Sequence, residues 1–387
     1  MTADLSVEHD RRAITNARVV TPERVLTDGY VIIDGERIVD VGTGRVRSSE
    51  ATIDVGGRLV LPGLVDLHGD EYERHLFPRE GARIDPGTAL VACDRANVAA
   101  GITTKYHAVA FEDGPGEERS VALAEEVIDD LVALDGLLAD NRVHARCELC
   151  EDRAVEGVLE AIDRGVVDLV SLMNHLPDSG QFDDVTQFNR RYADRASGSP
   201  SDTERTITRR RVALPEVDGR AHRVIRAARA AGIDIATHDD EDEGQVEAMW
   251  RRGVSISEYP VTMAAARRAA ELGMVTTMGA PNLVRGGSLW GNLSASDAIQ
   301  AGVVDVLCTD YHPPSLLASV FEETGEPLPE RVARVTRTPA DVVGLDDRGR
   351  IEPGARADLV VADPSAPPQV QRVYVGGTEV YQGSIDP

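Results

Sequence analysis

The stretch LPGLVDLHGDEYERH, residues 61–75, begins as an apolar run and ends in histidine, glycine and charged residues. Such a run is typical of a buried strand, and side chains alternate between the two faces of a strand. His68 and Asp70 are two positions apart, so they would point to the same side, as two metal ligands must. A strand that only becomes polar where it reaches solvent would read the same way. The remaining sequence decides between these interpretations.

Seven further apolar segments alternate with helical stretches. The helical stretches include residues 119–140, 219–232, 241–253 and 262–273, each with a glycine near its end. The candidate strands are LPGLVDLH (61–68), GITTKYHAVA (101–110), VHARCEL (143–149), VVDLVSLMNH (166–175), IDIATHDDE (233–241), GVSISEYPV (253–261), MVTTMGAPN (274–282) and VVDVLCTD (303–310). Eight strands interleaved with helices predict an α/β fold, a TIM-like (β/α)8 barrel with its functional residues at the carboxyl ends of the strands.

Short β-rich segments stand at both ends of this pattern. Residues 13–60 carry an Asp-Gly turn signal, and residues 354–383 carry a Gly-Gly turn between two such segments. A chain of 387 residues is long enough for a large domain and a smaller one. We therefore predict a barrel over residues 61–345 and a small β domain built from residues 1–60 and 346–387.

The composition is strongly acidic. Asp and Glu number 66 against 41 Lys and Arg, the formal net charge is -25, and Lys105 is the only lysine. An acidic surface poor in lysine suits concentrated salt, where the Debye length falls to about 3 Å at 1 M. This predicts a halophilic source, the alternative being an ordinary acidic cytosolic enzyme. The same charge repels nucleic acid and argues against it as a partner.

Other classes of protein are also disfavoured. No segment approaches the roughly 18 consecutive apolar residues of a membrane span, and the start MTADLSVEHDRR does not read as a signal peptide, so we expect no membrane partner and a cytoplasmic location. Cys147 and Cys150 form a Cys-x-x-Cys pair, but without a second pair they do not predict a zinc site. Together with Cys93 and Cys308 they are expected to be small buried hydrophobes.

Residue types that bind metals stand at the carboxyl ends of five predicted strands, which meet at one mouth of a barrel. Such a mixed set of nitrogen and oxygen donors suits zinc, manganese or iron. Each residue alone has a structural explanation, such as a histidine hydrogen-bonded at the rim or an aspartate that begins a helix. Glu258 is a further candidate on the sixth strand. The predicted ligands are His68, Asp70, Glu148, His175, His238 and Asp310.

Longer motifs identify a family resemblance. PGLVDLHGD, the terminal β domain and a late CTD resemble the amidohydrolase superfamily of metal-dependent hydrolase barrels over essentially the whole chain. Within it, HGDEYERHLFPR, HARCEL, ATHDDE, SEYPVT and MGAPNLVRGGSLWGN are similar to the alpha-D-ribose 1-methylphosphonate 5-triphosphate diphosphatases of the carbon-phosphorus lyase pathway. The resemblance implies hydrolysis of this phosphorylated sugar to the 5-phosphate with release of pyrophosphate. It also implies one or two bound divalent ions, with zinc expected, and a functional link to carbon-phosphorus lyase proteins. A homo-oligomer is possible, and the sequence leaves the oligomeric state open.

The chain departs from the superfamily pattern at two positions. Asp70 replaces the second histidine of the usual His-x-His opening, and His175 stands where a carboxylated lysine usually bridges two metals. Glu148 is then the expected bridging carboxylate. Lys105, placed at the end of the second predicted strand, is expected to contact phosphate rather than to act as a carboxylated bridge.

The implied reaction needs a base and groups that bind phosphate. Asp310 is predicted to accept the proton of the attacking water. Arginine suits bidentate binding of phosphate, and glycines allow the backbone to approach it, although a Gly-Gly pair also makes a plain turn. The predicted substrate-binding residues are Lys105, Arg146, Arg285, Gly286, Gly287, Ser288 and Arg74, with His75 and Arg79 as further candidates.

Residues 178–220 form a long polar interval that predicts either a mobile lid or a disordered insertion. Its run of Arg209, Arg210 and Arg211 would either approach the triphosphate or form a solvated helix face. Two alternative functions stay open from the sequence: hydrolysis of a cyclic amide or an N-acetyl sugar on the same barrel, and a metal-free scaffold.

Overall fold

The fold comes from a computed structural model, which describes residues 11–46, 51–79, 81–114, 119–176, 200–365 and 367–383. The strands are β1 (Arg11–Val20), β2 (Val25–Asp34), β3 (Arg37–Thr43), β4 (Ala51–Asp54), β5 (Leu59–Pro62), β6 (Leu64–Gly69), β7 (Ile102–Phe111), β8 (Asp140–Glu148), β9 (Leu169–Met173), β10 (Asp234–His238), β11 (Ile256–Glu258), β12 (Val275–Gly279), β13 (Val306–Cys308), β14 (Leu359–Asp363), β15 (Gln369–Val375) and β16 (Thr378–Gln382). The α-helices are α1 (Tyr72–Leu76), α2 (Pro86–Ala99), α3 (Val121–Ala133), α4 (Asp152–Asp163), α5 (Pro200–Ala213), α6 (Val217–Ala231), α7 (Glu243–Arg251), α8 (Met263–Glu271), α9 (Ala280–Arg285), α10 (Ala295–Gln300), α11 (Pro314–Ser319), α12 (Leu328–Ala333) and α13 (Arg337–Val342).

The central feature is a parallel barrel. Strands β6 to β13 form one eight-stranded sheet in sequence order. The sheet nearly closes between its first and last strands, because the Asp310 amide donates to the His68 carbonyl (3.0 Å) and the Asp70 amide donates to the Asp310 carbonyl (2.8 Å). The predicted (β/α)8 barrel is therefore confirmed.

The sequence forms these elements for simple reasons. Strands covered on both faces read as continuous apolar runs, and every residue of β9 (LVSLM) is buried. Helix α4 buries Ala154, Val155, Val158 and Ile162, which recur at helical spacing on its inner face. Helix α6 ends at Gly232, whose positive φ of 72° is the left-handed conformation typical of a helix end.

A second sheet joins the two ends of the chain. Its strand order is β16-β15-β14-β5-β1-β2-β3, with β4 pairing with β1. The predicted small β domain from both termini is confirmed. The chain groups into two compact units, one of Met1–Val65, Asn97–Thr103 and Glu326–Pro387, the other of Asp66–Ala96 and Thr104–Gly325. The domain boundaries at 60/61 and 345/346 stay predictions, since a compact unit is not by itself an independently folding domain.

Lys105 was predicted at the end of the second barrel strand, which is wrong, because β7 continues to Phe111. Residues 178–199 of the long interval lie outside the described residues, whereas 200–220 are helical. The four cysteines are free and buried, as predicted. Among the described residues, no helix combines the length and apolar character needed to cross a membrane.

Candidate active site

The barrel strands end in unusual backbone conformations. Asp239 and Tyr259 follow β10 and β11 directly, and Asp310 lies two residues after the end of β13; their φ angles are 59°, 55° and 54°. A residue other than glycine held in this left-handed region costs about 1 to 3 kcal/mol, and such residues cluster at functional sites. These conformations indicate that the functional residues lie at the carboxyl end of the barrel.

Two predicted ligands share one carboxylate. Glu258 contacts Nδ1 of His68 at 2.8 Å and Nδ1 of His238 at 2.9 Å. The two rings stack 5.7 Å apart at 12°. A carboxylate only accepts hydrogen bonds, so both Nδ1 atoms carry the proton and both Nε2 atoms keep a lone pair for a ligand. Glu258, the sixth-strand ligand candidate, thus orients two histidines.

His175 is the residue whose environment best fits a metal. Its side chain is buried, and neither ring nitrogen has a hydrogen-bond partner among the described residues. Nδ1 lies 3.4 Å from a Glu148 oxygen, and Nε2 lies 4.0 Å from an Asp239 oxygen, which is also 3.6 Å from Nε2 of His238. Because an unsatisfied buried imidazole is costly, His175, His238 and Asp239 fit a bound divalent ion.

The electrostatics of these groups agree with that fit. Burial lowers the pKa of His175 and lowers that of His238 to about 3, so both imidazoles are neutral at pH 7, the form that binds metals. Burial and the carboxylates of Glu258 and Asp310 raise the pKa of Asp239 well above its usual range, although Arg146 opposes this. A carboxylate in such surroundings gains from a cation nearby.

Arg146 brings a positive charge into the middle of the site. The residue is 3% exposed, and its Nε and Nη1 atoms have no hydrogen-bond partner among the described residues. Nη2 lies 3.4 Å from Nε2 of His238, and Nη1 lies 3.6 Å from an Asp70 oxygen. Buried N–H groups of this kind are suited to anionic oxygens of a ligand.

Arg119 donates hydrogen bonds to three carboxylates, one of which is Asp70. It donates to Asp70 at 3.0 Å, to Glu73 at 2.7 Å and to Glu112 at 2.8 Å. Asp70 therefore faces two arginines, Arg119 and Arg146.

Arg210 also lies inside the protein. It is fully buried and contacts Glu112, Glu148 and Glu151. The solvated-face interpretation is therefore wrong for Arg210, because its charge is neutralised inside the protein. Arg209 is half exposed and bonds to Glu151.

The remaining predicted phosphate ligands meet at an exposed tyrosine-centred rim. Arg285 donates to the Tyr311 hydroxyl at 2.9 Å, and the Arg74 guanidinium lies 5.3 Å from the centre of the Tyr311 ring. Gly286 has a φ of 83° and ends α9, and the Ser288 hydroxyl accepts from the Trp290 amide. Arg285 also donates to the carbonyl of Gly287. The structure thus places Arg74 and Arg285 on the same ring.

Lys105 lies in a different environment from the one predicted. Its ammonium is fully buried, 2.6 Å from Asp66, 2.8 Å from Glu71 and 3.1 Å from the Thr309 hydroxyl. Burial alone would lower its pKa, but the two carboxylates raise it overall. A lysine committed to buried carboxylates is not positioned for a substrate, so the expected contact with phosphate is replaced by a structural role.

Sequence reasoning missed three residues of this site. Asp239 follows His238 within ATHDDE, and that adjacency was the available signal. Glu112 follows β7 directly and escaped notice because the strand was ended too early. His144 lies inside β8 on the face of Arg146 and Glu148, and its Nε2 has no hydrogen-bond partner in the described part of the chain.

The barrel and this cluster of histidines and carboxylates define a metal-dependent hydrolase type of site. A model of the amidohydrolase family matches residues 193–381. The chain is 35% identical over 326 residues to the alpha-D-ribose 1-methylphosphonate 5-triphosphate diphosphatase of Escherichia coli (strain K12), which covers 82% of this chain and 86% of that protein. The chain therefore belongs to the amidohydrolase family and is a hydrolase.

Solved structures agree on the fold. N-isopropylammelide isopropylaminohydrolase from Burkholderia multivorans superposes with a TM-score of 0.62 at 19% identity, covering 96% of this chain and 98% of that one. N-acetylglucosamine-6-phosphate deacetylase from Pasteurella multocida gives a TM-score of 0.62 at 15% identity, with 95% and 98% covered. At these identities the likeness concerns the fold alone.

Proposed function

We propose that this protein hydrolyses alpha-D-ribose 1-methylphosphonate 5-triphosphate to the 5-phosphate and pyrophosphate with the help of a divalent metal. The observation that carries the proposal is Arg146, a buried guanidinium with unpaired N–H groups between Asp70 and His238. An amide substrate offers no polyanion for such a group, whereas a triphosphate does. The similarity to the Escherichia coli diphosphatase supports the same substrate.

The metal would be held on the side of the site where His175, His238 and Asp239 converge. Of the other predicted ligands, His68 presents Nε2 beside His238, and Asp310 lies near enough to Asp239 to influence its pKa. A bound divalent ion supplies a Lewis acid and lowers the pKa of a water molecule. We favour zinc from the nitrogen and oxygen donors, with manganese or iron as alternatives.

Asp310 would accept the proton of the attacking water. Its backbone is bonded on both sides to β6, between the His68 carbonyl and the Asp70 amide, so its position relative to those residues is fixed. A base held in place in this way loses little freedom when the substrate binds.

The phosphate chain would extend from the site to the rim. Arg146 would bind phosphate oxygens next to the reacting phosphorus, and its contact with His238, a proposed metal ligand, supports this role. Arg74 and Arg285, both on Tyr311, would bind the outer part of the substrate together with the backbone of Gly286, Gly287 and the hydroxyl of Ser288. These residues would supply positive groups to a triphosphate in an otherwise acidic protein.

The wider setting follows from the same substrate. We infer a cytoplasmic enzyme of a salt-adapted organism that works alongside carbon-phosphorus lyase proteins. Its own assembly, as a monomer or a homo-oligomer, does not affect the chemistry proposed.

The test is phosphorus NMR of the metal-loaded protein in molar KCl, with the ribose triphosphate and with ATP in separate samples. We expect pyrophosphate from the first sample only, because recognition of the sugar end should exclude ATP. An Asp310→Asn variant should lose most of the activity, and its metal content distinguishes a lost base, which leaves the metal bound, from a lost metal ligand. Metal-loaded protein that produced no pyrophosphate from either compound would refute the substrate and favour hydrolysis of an amide.

A further inference from the structure

Beside the histidine cluster lies a second group of possible metal ligands. Donor atoms of Glu112, Glu148 and His175 all lie within 4.8 Å of one another, and all three side chains are buried. Together with the His175, His238 and Asp239 group, this would make a site for two ions that share His175. The presence of one ion at the first group would not by itself require a second ion at the other.

An arginine already lies against the second group. Arg210 of α5 donates through Nη2 to Glu112 at 2.8 Å, and its Nη1 lies 3.5 Å from Glu148. Its Nη1 also donates to the His175 carbonyl at 3.0 Å, and its Nε donates to Glu151 at 2.9 Å. Every nitrogen of the guanidinium is thus engaged around these carboxylates, and the side chain is fully buried.

The charge of this group is compensated without a metal. Glu112 accepts hydrogen bonds from Arg119 and from Arg210, each at 2.8 Å, so its carboxylate is already paired with two guanidinium groups. An arginine does not lose its proton in a protein, so the positive charge cannot be removed to admit another cation. A divalent ion between Glu112 and Glu148 would have to displace this guanidinium from the carboxylate oxygens that it already contacts.

The imidazole of His175 also limits what the two groups can bind. Its Nδ1 faces Glu148 and its Nε2 faces Asp239, on opposite edges of the ring. A neutral imidazole has a lone pair on only one nitrogen. While an ion is bound through Nε2, Nδ1 carries the proton, and the second group is left with the carboxylates of Glu112 and Glu148, which Arg210 already contacts.

We infer that Arg210 takes the place of a second metal ion, so that the protein binds one divalent ion per chain, on the His238 and Asp239 side. This inference rests on the proposed metal centre. Glu148, expected from the family resemblance to bridge two ions, then serves as a positioning residue that orients His175 and is itself held by Arg210. The ion on the Nε2 side would act with the positive charge of Arg146, and no second ion would be needed to neutralise the substrate.

The experiment counts ions. Metal-free protein is equilibrated with Mn2+, dialysed, and analysed for metal by mass spectrometry, and its electron paramagnetic resonance spectrum is recorded. We expect one Mn2+ per wild-type chain and the spectrum of an isolated ion. Two ions per chain, or the spectrum of a coupled pair, would overturn the inference.

Two variants test the role of the arginine itself. Arg210→Met should increase the count from one ion to two, because Glu112 and Glu148 lose their fixed counter-charge. Arg211→Met, the neighbouring exposed position on the same helix, should leave the count at one. A folded Arg210→Met protein that still binds one ion would show that the arginine does not exclude the second. If this variant does not fold, the wild-type count still decides.

The count also separates this inference from the proposed reaction. One ion without release of pyrophosphate would leave the inference standing and remove the substrate. Two ions with full release of pyrophosphate would overturn the inference and leave the substrate standing. A wild-type chain that binds no ion would overturn both the inference and the proposed metal-dependent reaction.

Discussion

Replacing Lys105 by methionine should destabilise the protein strongly. The ammonium is 2.6 Å from Asp66 and 2.8 Å from Glu71, and all three groups are buried. Methionine fills nearly the same volume but leaves two buried carboxylates without their counter-charge. Asp66 would keep the Thr309 amide (2.9 Å) and hydroxyl (2.6 Å) as donors, so most of the loss should fall on Glu71.

Removing one partner of a buried ion pair costs about 3 to 5 kcal/mol. Domains are usually stable by only about 5 to 15 kcal/mol, so this is a large share. With a urea m-value of about 3 kcal/mol per molar, the unfolding midpoint should fall by roughly 1 to 1.7 M. The measurement is urea unfolding followed by circular dichroism at a fixed KCl concentration.

Two further proteins make this test specific. Lys105→Met combined with Glu71→Gln should recover part of the loss, because the uncompensated charge is removed as well. Arg251→Met, which breaks an exposed pair with Glu247 on α7, should cost about 0.5 kcal/mol or less. A Lys105→Met protein within about 1 kcal/mol of wild type, or a double variant no more stable than the single one, would refute the reasoning about the buried charge.

Three other predictions follow from the site and the composition. The Glu258→Gln side chain offers one acceptor oxygen instead of two, so one of the two histidines that Glu258 contacts should lose its orientation. The metal Kd, measured by competition with a chelator, should then rise about 10- to 100-fold. An unchanged Kd would contradict the orienting role. Arg146→Met should lower kcat/KM for the triphosphate about 10- to 100-fold, as expected for a lost charged hydrogen bond, while metal content stays the same; a loss of metal instead would make the residue structural. None of the four cysteines should react with a thiol reagent in the native state, because all are buried and burial raises the pKa of Cys150 to about 12, and all should react in urea. A native thiol that reacts at once would show that the barrel wall opens.

The architecture could be predicted because each element carries its own local signal. The strand at 61–68 and the seven others are short apolar runs, and glycine or polar residues separate them from helices with one apolar face. The rule that barrel strands end at one mouth then brings His68, Glu148, His175 and His238 together without further information. Their separation along the chain is irrelevant once the barrel is assumed.

What could not be predicted depends on contacts between distant segments. Nothing in the run of Arg209, Arg210 and Arg211 distinguishes the middle arginine, yet it alone is fully buried, because Glu112 and Glu151 come from other strand ends. Lys105 reads as a phosphate ligand until the structure places Asp66 and Glu71 around it. Whether a charged residue faces the substrate or a buried counter-charge is a tertiary property, and the sequence pattern does not contain it.

The net negative charge of the protein repels an anionic substrate, whereas the buried arginines of the site would attract it. A triphosphate approaching a chain with a net charge of -25 is repelled at long range. In molar salt this repulsion is confined to about 3 Å, so the substrate is attracted only by what it can touch. Arg146 is buried, so salt screens its attraction for an anion much less than it screens that of a surface charge. The neighbouring carboxylates Glu112 and Glu148 are neutralised from within by Arg119 and Arg210, so the mouth of the barrel need not share the charge of the surface. An acidic protein could therefore bind the proposed polyanionic substrate, provided that its positive groups lie inside the barrel.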